Sequence, residues 1–153
     1  MDYSQKMKQY IDSNSINAEH LEFEQSCHTV EDAANAVNGS VDEIIKNICM
    51  IDQNDQLIVA IVKGEDRVST SRVGKALNME RPRMANADEI LNKTGYPAGG
   101  VPSFGFDATF LIDPKVTEQE YIYTGGGTPN SLVKISVEEL IKVNKGTVVR
   151  IRK

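Results

Sequence analysis

The chain has 153 residues and a net charge of −5, and 40% of its residues are apolar while 25% are charged. This length and composition fit a globular domain with its own core and exclude a disordered chain. The acidic charge argues against a long basic face for nucleic acid, and no apolar run approaches the roughly 18 residues of a membrane-spanning helix. Because the N-terminal residues lack the apolar segment of a secretory signal, we expect a cytoplasmic protein with one domain over residues 1–153.

The first half of the chain predicts two helices, a strand, a helical turn and a hairpin. Apolar residues form a stripe on the first helix and alternate with polar residues in the strand. Thr29 and Asp32 have capping-box spacing at the start of the second helix, which Gly39 ends. Two apolar runs separated by three polar residues predict the hairpin. In chain order these elements occupy residues 2–12, 20–26, 29–39, 40–43, 45–52 and 56–62.

The second half predicts two helices, three short strands and a last helix. Gly95 ends the second of these helices, and Ser136 with Glu139 caps the last one. Strands and helices mix without a regular β-α-β alternation, so we expect an α+β fold with a mixed, curved or barrel-like sheet and flanking helices. These elements occupy residues 69–77, 87–94, 108–113, 120–124, 131–135 and 137–143.

Lys46 is the first candidate for chemistry. On an extended segment it shares a face with Ile48 and Met50, while the opposite face is also apolar, which is typical of a central strand. A lysine there either extends to the sheet edge or points its ammonium into a polar cavity. In a cavity it could hold a phosphate or a carbonyl oxygen.

The second candidate is the loop TGYPAGGVPSFGFD at residues 94–107. Gly99 and Gly100 allow positive φ and close approach to a ligand, Pro102 stiffens the loop, and Phe104 can anchor it to the core. Such a loop can direct backbone N–H groups at a developing oxyanion, or it is a structural Ω-loop without a ligand. The glycine bend at 123–130 is neither a Rossmann nor a Walker motif and suits a second wall of the same cavity.

Other reactive residues give no motif. Cys27 and Cys49 read as free thiols without metal spacing. Cys27 and His28 would point to opposite faces of a strand, which disfavours a nucleophile and base. Basic residues gather at 67–83 and again at 142–153, and each group alone suits solvated surface charge.

Three stretches together resemble the YbaK/ProX/EbsC family of aminoacyl-tRNA deacylases, relatives of the editing insertion of bacterial prolyl-tRNA synthetases. They are SCHTVEDAANAVNGSVDEIIKNICMID, MANADEILNKTGYPAGGVPSFG, and FLID followed by YTGGGTPNSLVKISVEEL. The resemblance runs from about Ser26 to about Val143. It implies a mixed, barrel-like sheet with flanking helices.

The resemblance implies a trans-editing hydrolase that cleaves the ester between a wrong amino acid and the terminal ribose of a tRNA. Alanine, cysteine, serine and threonine are the amino acids it suggests. It implies no metal, no cofactor and no protein nucleophile, with a ribose hydroxyl of the substrate helping to position water. The implied partners are the acceptor end of aminoacyl-tRNA and an aminoacyl-tRNA synthetase.

The resemblance also implies roles for individual residues. Lys46 matches the family's pocket lysine, and backbone N–H groups near Gly100 and Val101 would polarise the ester carbonyl. Ser103 stands where the family's GxxxP motif ends in proline. The other residues implied to bind substrate are Gly99, Pro102, Ser103, Phe104, Gly105, Ile48, Met50, Gly125, Gly126 and Gly127.

Two other functions stay open. A domain of the same fold could hold tRNA ends, or dock onto a synthetase, without hydrolysis, and the serine at position 103 favours this alternative. A small-molecule-binding domain, with the glycine loop as an anion nest, is a third interpretation.

Overall fold

The computed structural model describes residues 2–153, in which five α-helices and eight strands form. Two 3-10 turns, Val41–Glu43 and Val116–Glu118, connect them. The helices and strands are α1 (Tyr3–Ser13), β1 (Ala18–Glu22), α2 (Val30–Val37), β2 (Ile45–Ile51), β3 (Leu57–Lys63), α3 (Thr70–Ala76), β4 (Arg83–Met84), α4 (Ala87–Thr94), β5 (Thr109–Ile112), β6 (Tyr121–Gly125), β7 (Ser131–Ser136), α5 (Val137–Asn144) and β8 (Thr147–Val148).

The strands form two sheets. One is antiparallel with the order β1-β7-β6, and the other has the order β4-β2-β3-β5-β8 with parallel pairs at β3–β5 and β5–β8. A bridge between Ile44 and Tyr123 brings the start of β2 beside β6. The α+β fold with a mixed sheet and flanking helices is confirmed. The strands within residues 2–153 do not close into a barrel.

The helix starts follow from side-chain caps. Asp2 and Gln5 form a capping box on α1, and Ser40 and Glu43 form the box expected for the helical turn. Thr29 accepts the N–H of Asp32 at 3.0 Å at the start of α2. That helix ends at Asn38, which has a φ of 53°, one residue before the expected glycine. These caps satisfy backbone N–H groups that lack an intrahelical partner.

The hairpin of β2 and β3 is confirmed, with Ile45 opposite Lys63 and Ile51 opposite Leu57. The first strand begins two residues earlier and ends four residues earlier than expected, and the chain leaves the sheet after Glu22. The two-residue strands β4 and β8 were not expected. Both are exposed and too short to carry an alternating pattern.

The five-stranded sheet is buried on both faces. One face of β2 packs in a cluster with Tyr96 and Phe104 from the glycine loop, and the other packs with Val73 and Ile151. Burying each large apolar side chain contributes about 1.5–3 kcal/mol, so the two clusters hold the loop and the C-terminal segment against the same strand.

Candidate active site

A cavity of about 220 Å³ lies where the start of β2, the glycine loop and the bend after β6 meet. The bridge between Ile44 and Tyr123 explains this position, because it joins the two sheets beside the first residues of β2. Five of the residues expected at the site line the cavity. They are Lys46, Gly99, Gly100, Val101 and Gly125.

The other expected residues do not line this cavity, and for Phe104 and Met50 the structure gives the reason. Phe104 is 1% exposed and packs against the ring of Tyr10 at a centroid distance of 6.1 Å. Met50 shares a face with Lys46, but at about 3.3 Å per residue it lies about 13 Å further along the strand. The residues outside the lining are Pro102, Ser103, Phe104, Gly105, Ile48, Met50, Gly126 and Gly127.

The Lys46 side chain lies in the cavity wall and is half-buried. Its ammonium makes no hydrogen bond or ion pair within residues 2–153. Burial lowers the pKa of Lys46, repulsion from Arg67 lowers it further, and attraction to Asp66 opposes both. An unpaired, partly desolvated ammonium of this kind favours an anionic or carbonyl ligand.

The glycines of the loop do not all have the backbone conformation that the sequence suggested. Within the loop, positive φ occurs at Gly95 (81°) and Gly105 (100°), and not at Gly99 or Gly100; in the later glycine bend it occurs at Gly127 (108°). At Gly100 the requirement is space, because a Cβ there would collide with the backbone of Gly127. The expectation of positive φ at positions 99 and 100 is therefore wrong, and close backbone approach explains Gly100 instead.

The backbone N–H groups of the loop also differ from one another. The N–H of Gly100 donates to the carbonyl of Pro97 at 2.9 Å, so it is already used inside the loop. The N–H of Val101 has no hydrogen-bond partner in the described part of the chain. Of the two donors expected at this wall of the cavity, Val101 therefore has an unpaired N–H and Gly100 does not.

A buried polar network holds the loop against the strands. The side-chain amide of Asn47 donates to the carbonyl of Val101 and to the hydroxyl of Thr124, both at 2.9 Å. The hydroxyl of Ser103 donates to the Asn47 carbonyl oxygen at 2.6 Å and lies 2.7 Å from the Thr124 hydroxyl. Sequence reasoning missed Asn47 and Thr124. The signal for Asn47 was a polar residue between Ile45 and Cys49, on a face that is otherwise core.

Four apolar residues, from α2, from β7 and from the position just before β2, also line the cavity. They are Val30, Ala33, Leu132 and Ile44. A lining of this kind can enclose a small side chain and limit its size.

Cys27 and His28 both line the cavity. The expectation that they face opposite ways assumed a strand, but this segment is irregular and the strand has already ended at Glu22. Burial raises the pKa of the Cys27 thiol, and repulsion from Asp32 adds to this rise. A thiol with a raised pKa is a weak nucleophile at neutral pH.

Within residues 2–153 no group of three or more His, Cys, Asp or Glu side chains is arranged to hold a metal ion. None of the helices described here has the length and apolar character needed to cross a membrane.

A family model for the aminoacyl-tRNA editing domain matches residues 24–143. The chain belongs to this family. The match covers the cavity-lining segments, so the resemblance seen in the sequence to YbaK-like editing domains is confirmed.

Relatives of the editing-domain family extend this finding. The uncharacterized protein YwhH of Bacillus subtilis is 28% identical over 121 residues, covering 78% of this chain and 76% of YwhH. A proline–tRNA ligase of Lactobacillus gasseri is 30% identical over 79 residues, which are 52% of this chain and 14% of the ligase. The chain therefore matches only a small part of that synthetase.

Two solved structures share the fold. The hypothetical protein APE2540 is 25% identical with a TM-score of 0.87, and the match covers 97% of this chain and 99% of APE2540. A proposed trans-editing enzyme for prolyl tRNA synthetase has a TM-score of 0.92 at 20% identity, covering 100% of this chain and 98% of that one.

Proposed function

We propose that this editing-domain protein is a trans-editing hydrolase of the cytoplasm, which cleaves the ester of a mischarged aminoacyl-tRNA. One observation carries the proposal: the unpaired ammonium of Lys46 and the free N–H of Val101 border the same cavity. The first can hold an anionic or carbonyl group, and the second can stabilise a developing oxyanion. Family membership and the resemblance to a proposed trans-editing enzyme support the same reaction.

The size of the cavity supports a small aminoacyl group. About 220 Å³ is less than the roughly 300–1,000 Å³ of pockets for drug-sized ligands. The apolar wall formed by Val30, Ala33 and Leu132 would receive the side chain of alanine, cysteine, serine or threonine. A synthetase discriminates against such amino acids by only about 1–3 kcal/mol per missing methylene, so a second, smaller site corrects its errors.

The proposed reaction needs no protein nucleophile. Water attacks the ester carbonyl carbon, the bond from that carbon to the ribose oxygen breaks, and the ribose oxygen takes a proton from the water. The products are the free amino acid and a tRNA with a free terminal hydroxyl. The Val101 N–H would bind the carbonyl oxygen as it becomes negative, which is worth roughly 3 kcal/mol in a dry site. Lys46 would hold the terminal phosphate or the ester end, and a ribose hydroxyl would place the water.

The surroundings of Lys46 support recognition of the acceptor end of a tRNA. Val68 bridges to Arg152, and the N–H of Lys153 donates to the carbonyl of Arg67 at 2.8 Å. The backbone segments that carry Arg67 and Lys153 therefore lie side by side, and Arg67 lies close enough to Lys46 to lower its pKa. Cations placed beside a cavity in an otherwise acidic protein suit a few phosphates at one end of an RNA.

A second candidate function is binding without hydrolysis. The observation that favours it is the bond between the Gly100 N–H and the Pro97 carbonyl, which leaves one free donor where two were expected. In that case the domain would hold tRNA ends or dock onto a synthetase.

A deacylation assay with purified protein and a panel of tRNAs charged with alanine, cysteine, serine, threonine and proline tests the proposal. We expect hydrolysis of at least one of the small amino acids and a large loss of rate in Lys46→Ala. Binding of tRNA or of a synthetase without turnover would favour the second candidate. A protein that does neither would be a small-molecule-binding domain of another function.

A further inference from the structure

The polar network beside the cavity contains two hydroxyl groups that are almost completely buried. Ser103 is 0% exposed and Thr124 is 1% exposed. Neither hydroxyl is required by the sheet ladders, since Ser103 lies outside the strands and the Thr124 backbone pairs with Val133. A polar group with this burial is kept only when its hydrogen bonds are satisfied.

The amide of Asn47 uses its full set of hydrogen-bonding atoms. Both N–H groups donate, one to Val101 and one to Thr124, and the amide oxygen accepts from Ser103. An amide satisfied in this way has one orientation, because rotating it would place the amide oxygen against the carbonyl oxygen of Val101, and neither atom can donate. Asn47 follows Lys46 directly, so the network joins the lysine-bearing strand to the loop opposite.

Two different hydrogen bonds fix the peptide units before and after the Cα atom of Val101. The peptide unit that carries its N–H is fixed by the bond from the Gly127 N–H to the Gly100 carbonyl at 2.8 Å. The following peptide unit is fixed by Asn47 at the Val101 carbonyl. On the far side, the Asn144 side chain donates to the Ser103 carbonyl at 3.0 Å, which links the loop to the end of α5.

We propose that Ser103 and Thr124 are positioning residues of the active site. Their hydroxyls orient the Asn47 amide, which holds the Val101 carbonyl and thereby directs the Val101 N–H into the cavity at a fixed separation from Lys46. The effect on catalysis rests on the proposed hydrolysis of aminoacyl-tRNA. The effect on the loop itself does not, since it concerns hydrogen bonds that exist without substrate.

A matched pair of variants isolates the hydroxyl of Thr124. Thr124→Val keeps nearly the same shape and removes the hydroxyl, while Thr124→Ser keeps the hydroxyl and removes a methyl group. Ser103→Ala removes the second hydroxyl. Each variant is first checked for native circular dichroism, and Ser103→Ala serves if Thr124→Val does not fold.

Two measurements are made on each folded variant. The first is kcat and KM for the mischarged tRNA that the wild type hydrolyses, and the second is hydrogen exchange at the amides of Gly100 and Gly127. We expect a loss of about ten- to a hundredfold in kcat with little change in KM for Thr124→Val and Ser103→Ala, because misplacement by about 1 Å has an effect of that size. Both amides should exchange faster, and Thr124→Ser should behave like the wild type in both measurements.

The outcomes separate this inference from the proposed function. If the wild type hydrolyses no mischarged tRNA, the proposed function fails, and faster exchange in Thr124→Val but not in Thr124→Ser still supports the positioning role. Unchanged exchange in Thr124→Val and Ser103→Ala overturns that role. An equal loss of kcat in Thr124→Ser and Thr124→Val also overturns it, because the hydroxyl would then have no part in the effect.

Discussion

The N–H of Gly127 donates to the carbonyl oxygen of Gly100 at 2.8 Å, so two glycine-rich segments distant in the sequence touch backbone to backbone. No side chain fits between them. A Cβ at Gly100 would meet the carbonyl carbon of Gly127 and the nitrogen of Thr128, and a Cβ at Gly125 would meet the carbonyl of Val101. The width of the cavity therefore depends on this direct contact.

This contact predicts that Gly100→Ala and Gly125→Ala destabilise the protein, whereas Gly99→Ala does not. The first two changes force the loops apart, and overpacking of this kind costs about 1–3 kcal/mol. A Cβ at Gly99 would meet only the Pro129 ring at 3.5 Å, an ordinary contact, so it is the matched control. Urea unfolding at equilibrium measures the difference. Equal stability of the three variants would contradict the close approach.

Replacing Lys46 separates stability from activity. The ammonium is partly desolvated and has no partner, so Lys46→Met should leave the free energy of unfolding unchanged or raise it by up to about 1 kcal/mol. Deacylation should fall at least about tenfold, since a charged hydrogen bond is worth about 1.5–3 kcal/mol. Lys46→Arg keeps the charge and serves as the control. A Lys46→Met protein as active as the wild type would remove Lys46 from the proposed mechanism.

The hydrogen bonds of Asp113, which lies away from the cavity, predict that replacing this residue lowers the stability of the protein. Its carboxylate is buried, accepts the N–H groups of Ile151, Arg152 and Lys115, and pairs with the Arg152 guanidinium at 2.8 Å. Asp113→Asn would place an amide N–H₂ against two donors and should lower the free energy of unfolding by about 2 kcal/mol. Thermal or urea unfolding measures it, with Asp107→Asn, at an exposed position, as the control.

The lowered pKa of Asp113 also predicts how its contribution to stability depends on pH. Burial alone would raise the pKa of Asp113, but its hydrogen bonds and Arg152 outweigh burial and hold the pKa below the ordinary value of 3.8. The stabilisation is therefore complete above that value and is lost as the pH falls through the lower pKa of the folded state. We expect the difference between the wild type and Asp113→Asn to be constant at neutral pH and to shrink below pH 3.8. A difference that grows on acidification would contradict this sign.

The salt dependence of tRNA binding tests the proposed contact between Arg67 and a phosphate. If Arg67 contacts one phosphate, Arg67→Ala should weaken tRNA binding and reduce the slope of log K against log salt concentration by about 0.7, the value for one contact on a single strand. Lys8→Ala removes the same charge from an exposed position on α1 and should leave the slope unchanged. Fluorescence anisotropy with a labelled RNA hairpin that ends in a single-stranded 3′ segment measures both. Identical slopes for the two variants would place the phosphates elsewhere.

Much of the fold could be predicted because its signals are local. The caps at Thr29 and Ser40 lie within three residues of their partners, and the apolar runs of β2 and β3 are buried on both faces. The strands β4 and β8 could not be predicted, because two exposed residues carry no period and their pairing depends on distant strands.

The site was predictable in part for the same reason. Lys46 stood out as a charge within an apolar strand, and Gly100 stood out in a loop of glycine and proline. Asn47 and Thr124 did not stand out, because their role appears only when segments far apart in the sequence meet. Met50 was placed at the site because it shares a strand face with Lys46, and Phe104 because the resemblance implied it, but both side chains are buried in the core.

The cavity wall is assembled from four separate parts of the chain, at 27–33, 44–47, 98–101 and 124–132. Domains of this kind emerge from the ribosome with the N-terminal part first, and contacts between distant residues form late. Until Leu132 has been synthesised, one wall is missing. A nascent chain that stops before Leu132 thus lacks part of the enclosure for a ligand, and the protein acquires its binding capacity only after this residue has been synthesised.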